Sequence, residues 1–208
     1  MKDRPLDIYV LRALLAVSIT GLSMVGIGIM RTEAMPETYK FPPPSLPQFE
    51  LTLSDDGQAF KFSGRIDFGL TEALRRLVAE NPQIKRMTLE SRGGYIAEAR
   101  GVVTVLRSNE IATHVYGYCA SACALIFAGG TVRSLSSEGR IGFHGYALVR
   151  EQHFGMIDPE VEMQRDLAIY RAQSVDEQFV LRLATLPQMP MWYPDQAKLR
   201  AVGFVTIP

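Results

Sequence analysis

Cysteine and histidine are scarce, and neither charge sign is in excess. Two cysteines in 208 residues cannot build a disulfide scaffold. Three histidines beside them, with no paired CxxC or HxxxH spacing, give no structural zinc site. The 22 basic and 22 acidic residues cancel, and the pI is about 6.8. That excludes a nucleic-acid binder that lives on phosphate neutralisation. With 47% hydrophobic residues and no net charge, the chain is also no disordered acidic or basic tail. No period of roughly 20–50 residues repeats, which argues against a solenoid. The length allows one folded domain with an appendage.

Three segments follow. Residues 1–31 read as a cytoplasmic tip and a transmembrane anchor. Ala13 to Met30 is an uncharged run of 18 residues bounded by Arg12 and Arg31, at the threshold of a spanning helix. A cleaved signal peptide has a shorter apolar core, and the one candidate cleavage site, ending at Ala34, is poor. Lys2, Arg4 and Arg12 precede the run, whereas Arg31 and Lys40 beyond it are offset by Glu33 and Glu37. The positive-inside rule then places the N-terminus in the cytoplasm and the rest outside it. Residues 32–48 are a linker, where Pro36, Pro42, Pro43, Pro44 and Pro47 enforce extended conformation. Residues 49–208 are the globular domain.

Within that domain, Phe49–Leu53 and Ala59–Gly64 read as two strands around a Ser54-Asp55-Asp56-Gly57 turn. Helices are predicted over 68–80, 96–109, 121–128, 159–174, 176–186 and near 194–200. Further strands are predicted over 84–90, 112–116, 131–134 and 140–143. Alternating strands and helices imply an α/β architecture with a largely parallel sheet.

Chemistry concentrates at two turns and one histidine. Tyr118-Cys119-Ala120-Ser121-Ala122-Cys123-Ala124 follows a strand and opens a helix of small residues. A serine there projects its hydroxyl from a tight turn, beside unpaired helix N–H groups that suit an oxyanion. The plainer role is a helix cap. Ser91-Arg92-Gly93-Gly94 is a second strand-to-helix turn that can aim N–H groups at developing charge; the plainer reading is an ordinary turn. His144, flanked by Gly142 and Gly145 at a strand end, suits a general base for Ser121. His114 and His153 read as structural.

Order excludes other templates. No aspartate lies between Ser121 and a later histidine, and cysteines occupy the outer positions of a Gly-x-Ser-x-Gly elbow, so an α/β-hydrolase does not fit. No lysine occurs between Lys85 and Lys198, which disfavours a Ser–Lys dyad. Cys119 and Cys123 flank the serine at i−2 and i+2. Four residues across a turn can bring them within disulfide reach outside the cytoplasm; the alternatives are buried apolar fillers or, less plainly, a cysteine nucleophile.

Taken together, Ser91-Arg92-Gly93-Gly94, Ala120-Ser121-Ala122 and Phe143-His144 resemble the Clp-protease/crotonase superfamily, specifically membrane-associated Clp-type serine peptidases. The resemblance spans about residues 49–207, including Gln196-Ala197-Lys198 and Val202-Gly203-Phe204-Val205 as closing helix and strand. It implies a ββα-repeat spiral, nucleophile Ser121, base His144 and oxyanion donors at Gly93, Gly94 and Ala122. It further implies a peptide substrate, no cofactor and assembly with further copies of the chain. One element departs: Met189, Pro190 and Met191 stand where the family carries its acid, and the nearest candidate, Asp195, falls inside the closing helix. The third member is then supplied from elsewhere, replaced by a backbone carbonyl, or lost. Two other readings stay open. One is a crotonase that binds coenzyme A; the other is a non-catalytic interaction domain on a membrane stalk.

Overall fold

A computed structural model describes residues 48–146 and 158–207. The apolar run 13–30, the proline-rich linker up to residue 47, and His153 lie outside the described residues. Among the described residues, no helix is long and apolar enough to cross a membrane.

The domain opens with a hairpin. Strands β1 (Phe49–Leu53) and β2 (Ala59–Gly64) pair antiparallel. Their turn is fixed by the Ser54 hydroxyl, which donates to Asp56 at 2.6 Å, and by the Gly57 N–H, which donates to Ser54 O at 2.9 Å. Helix α1 (Leu70–Glu80) follows, with Leu70, Leu74 and Val78 buried at i, i+4 and i+8. Its start has no cap of its own. Glu98, from α2 (Ile96–Ser108), reaches over to accept from Gly69 N at 3.1 Å and Thr71 N at 2.9 Å. Burial alone would raise the Glu98 carboxyl. The Thr71 and Gly69 hydrogen bonds outweigh it and hold the carboxyl below its usual range.

Strands β3 (Arg86–Ser91) and β4 (Ala112–Ala120) continue the sheet in parallel, so the order runs β1-β2-β3-β4 and on to β5 (Arg133–Leu135). The crossover helices α1 and α2 are what parallel pairing requires. Strand β4 is longer than the sequence pattern predicts, because it has two parts. Leu89 pairs with Val115, but Ser91 pairs with Cys119, so β4 carries two extra residues at Tyr116–Gly117. Before this bulge it pairs with β5 (Arg133–Leu135), and after it with β6 (Arg140–Gly142). Bulges bend a strand and increase its twist. Here the bend lets one strand hold two partners in succession.

Helix α3 (Ala122–Ala128) is buried on every residue, as expected of a helix that is apolar all round. Helices α4 (Pro159–Ala172), α5 (Glu177–Ala184) and α6 (Gln196–Ala201) complete the described fold. An aromatic cluster anchors them: Phe143 meets Phe179 and Phe204 edge-on at 5.6 and 5.2 Å. The expected strand over 202–205 is not formed; these residues are turn and bend, with Phe204 and Val205 in the core. Buried Arg133 holds them there. Its guanidinium donates to the carbonyls of Phe204 (2.9 Å), Gly203 (2.8 Å), Gln173 (3.2 Å) and Gly130 (3.2 Å), and to the Gln173 side-chain oxygen (3.3 Å).

Candidate active site

Ser121 sits in the single residue between β4 and α3, with φ 58° and ψ −128°. A non-glycine residue at positive φ costs about 1–3 kcal/mol unless its surroundings enforce it. Two restraints do so. The Ser121 N–H donates to Gly142 O at 2.9 Å, extending the β4–β6 ladder into the turn. A disulfide joins Cys119 to Cys123 across the serine, with a Cα–Cα distance of 5.2 Å and both residues fully buried.

His144 lies two residues past the end of β6. Phe143 points into the aromatic core, and its N–H and C=O both pair with Trp192 at 2.8 Å. Period-two alternation then turns His144 to the other side. Its Nε2 is 2.7 Å from Ser121 Oγ, and its Nδ1 is 2.7 Å from Gly145 O. A carbonyl only accepts, so Nδ1 carries the proton. Nε2 of the neutral ring is therefore the acceptor of the serine hydroxyl. Strand β6 thus supplies both the ladder that shapes the nucleophile turn and the histidine that faces it.

The glycine pair divides its labour differently from the sequence expectation. The Gly93 N–H is not free: it donates to the buried Ser91 hydroxyl at 3.0 Å. The Gly94 N–H has no protein acceptor among the described residues, and neither has the Ala122 N–H in the first turn of α3. Gly94 and Ala122 are therefore the N–H groups of the two turns left without a protein acceptor among the described residues, while Ser91 fixes the glycine turn. The need for glycine also differs at the two positions. A Cβ on Gly93 (φ 104°) would lie 2.7 Å from Ser121 Cβ. A Cβ on Gly94 (φ 154°) would lie 2.1 Å from Ile66 O. Gly94 is thus small to bridge Ile66, not to admit substrate.

Asp195 is not a partner of His144. Its carboxylate accepts from Lys198 N at 2.6 Å and caps α6. His144 Nδ1 is bonded instead to the Gly145 carbonyl, a main-chain partner that leaves no side-chain signal in the sequence. Asp176 likewise caps α5. Asp166 is buried and bonded to Arg100 and Tyr146. Burial pushes the Tyr146 phenol well up, with Tyr170 and Asp166 adding to it, so the hydroxyl remains a donor.

A second Ser–His contact exists, between Ser134 Oγ and His114 Nδ1 at 2.7 Å. It joins neighbouring positions in β4 and β5, with no helix start after the serine. Among the described residues, only Ser121 combines a histidine acceptor with unpaired N–H groups. No cluster of three or more metal-ligating side chains occurs among the described residues. Two concavities of about 230 and 370 Å³ lie along α2, and neither is lined by Ser121 or His144.

No family model matches the sequence, and no curated protein does so. Solved structures do. A ClpP1 mutant from Listeria monocytogenes aligns over 72% of this chain and 90% of its own, with TM-score 0.58 at 16% identity. The membrane-bound stomatin-specific protease 1510-N, also as a mutant, aligns over 71% of this chain and 76% of its own, with TM-score 0.53 at 16% identity. The fold is Clp-like. An enoyl-CoA hydratase from Mycobacterium smegmatis aligns more loosely, at 13% identity and TM-score 0.48, over 77% of this chain and 69% of its own.

Proposed function

We propose that this protein is a serine peptidase acting on peptides outside the cytoplasm, held at the membrane by residues 1–31. The observation that carries the reading is the 2.7 Å contact from Ser121 Oγ to His144 Nε2 at a turn of positive φ, beside two unpaired N–H groups. In the reaction, Ser121 Oγ attacks the substrate carbonyl carbon and its proton passes to His144 Nε2. The resulting oxyanion accepts from the Gly94 and Ala122 N–H groups. The C–N bond then breaks, and the amine leaves with the proton from His144. Water repeats the sequence on the acyl-enzyme and frees Ser121. Exposed Tyr95 and Tyr118 adjoin the two turns in sequence and offer apolar surface to an extended peptide.

The Cys119–Cys123 disulfide supports an oxidising compartment, since cytoplasmic thiols stay reduced. A reporter fused after Pro208 should be active only if it functions outside the cytoplasm; activity of a strictly cytoplasmic reporter there contradicts the orientation. Fluorophosphonate labelling tests the chemistry. The probe should label the wild type, fail on Ser121→Ala and label His144→Ala far more slowly. Undiminished labelling of Ser121→Ala overturns the assignment. A second reading, a membrane-anchored interaction domain, is favoured by one observation: a neutral carbonyl stands where a carboxylate would stabilise the imidazolium. A folded wild type that never labels selects it.

A further inference from the structure

The third member of the site is a peptide carbonyl, and something must aim it. Gly145 has no side chain to restrict its own torsions, so the plane of the Gly145–Tyr146 peptide is set by what grips its two ends. The Gly145 N–H donates to Pro187 O at 2.8 Å, and Tyr146 O accepts from Gln188 Nε2 at 3.3 Å. The remaining grip is the Tyr146 side chain. Its hydroxyl donates to Asp166 Oδ2. Arg100 Nε, from α2, donates to Asp166 Oδ1 at 2.5 Å. The same guanidinium donates to the Glu162 carboxylate and to Glu162 O at 2.9 Å. Asp166 is only 1% exposed. Burial disfavours the anion and pushes the Asp166 carboxyl up, so its partners must offset the lost solvation. Such a network is a poor device for stability alone and a good one for fixing a single geometry.

We propose that Tyr146, held by the buried Asp166–Arg100 pair, is a positioning residue that orients the Gly145 carbonyl and, through it, the His144 ring. The proposal rests on the reading that Ser121 and His144 are the reacting pair. The path is continuous: Arg100 to Asp166, Asp166 to Tyr146 hydroxyl, Tyr146 to the Gly145 peptide, Gly145 O to His144 Nδ1, His144 Nε2 to Ser121 Oγ. Tyr146 itself touches no reacting atom. It acts by keeping Nε2 aligned with the hydroxyl.

The test uses the full chain, a fluorophosphonate probe, and Tyr146→Phe, which removes only the hydroxyl. The first-order labelling step should slow about 10-fold while the half-saturating probe concentration stays the same, since loss of alignment by a fraction of an ångström costs rate and not binding. Asp166→Asn should act in the same direction. The decisive measurement repeats Tyr146→Phe in the His144→Ala background. With no ring to orient, the double variant should label at the residual rate of His144→Ala. An equal fold loss in both backgrounds makes the tyrosine merely structural and overturns the proposal. So does wild-type labelling by Tyr146→Phe in the parent background. A wild type that does not label at all removes the Ser–His reading itself and the proposal with it.

Discussion

Removing the disulfide should uncouple what holds the domain together from what shapes its nucleophile. The perturbation is the double variant Cys119→Ala, Cys123→Ala. The bridge closes a short loop, with a sequence separation of 4. Loop-closure entropy for so short a ring is worth about 2 kcal/mol at room temperature, well below the roughly 3 kcal/mol of a 15-residue loop. For a domain of this size that corresponds to a fall of about 4–8 °C in Tm. The rate should suffer more. The Ser121 turn stores about 1–3 kcal/mol at φ 58°, and the bridge is one of the two restraints that keep it there. If the turn relaxes by that energy, the attacking geometry is populated about 5- to 150-fold less, at a factor of ten per 1.4 kcal/mol. The assay is the fluorophosphonate labelling rate at 20 °C beside a melting curve, so that unfolded protein is excluded from the comparison. A double variant that melts several degrees lower but labels at the wild-type rate refutes the reasoning. It would mean that the Ser121 N–H bond to Gly142 O holds the turn alone.

Gly94→Ala should destabilise by about 3–5 kcal/mol, combining strained φ with loss of the bridge bonds Ile66 N to Gly93 O and Tyr95 N to Ile66 O; an unchanged melting curve would mean that Ile66 yields freely. Arg133→Met should cost about 3–5 kcal/mol in denaturant unfolding, because five acceptors lose their donor inside the core; a loss below about 1 kcal/mol would show that water replaces the guanidinium. Burial works against the Glu98 anion, but the hydrogen bonds from Thr71 and Gly69 hold its carboxyl below its ordinary value, so it binds fewer protons folded than unfolded. Its contribution is therefore fully present above the unfolded value and fades as pH falls through the lower, folded one. Glu98→Gln should be less stable than wild type by about 1 kcal/mol at pH 7, as for a lost helix cap, and the gap should narrow in melts at pH 3. A gap that stays constant with pH would assign the effect to packing.

The local elements were legible because their residues agree with one another. The turn Ser54–Gly57, the i, i+4 stripe of Leu70, Leu74 and Val78, and the small-residue helix after Ser121 each state their structure locally. The bulge at Tyr116–Gly117 was not legible, since only pairing with Leu89 and Ser91 on one side, and with β5 and β6 on the other, defines it. The segment 202–205 is expected as a strand from the resemblance alone, but the Gly203 and Phe204 carbonyls accept from a buried arginine about 70 residues earlier, which no local pattern announces. At the site, Ser121 and His144 were named by motif and order, and the structure brings them within 2.7 Å. Asp195 misled because an N-cap aspartate and a catalytic one look alike in sequence. Ser91 stood inside a quoted motif, yet its use as the acceptor for Gly93 N–H depends on the turn's geometry.

A catalytic group made of main chain is beyond the reach of ordinary substitution. Replacing Gly145 by any other residue leaves its carbonyl oxygen in the molecule, so an alanine scan that deletes functional atoms one by one would pass over it. What a new side chain can do at that position is collide: a Cβ there would come within 2.0 Å of Leu186 O. A substitution at Gly145 itself can therefore disturb this carbonyl only by adding bulk, never by removing the oxygen. On the proposed reading, inactive versions of this protein can arise with Ser121 and His144 intact, and their defect would lie in the path of the backbone.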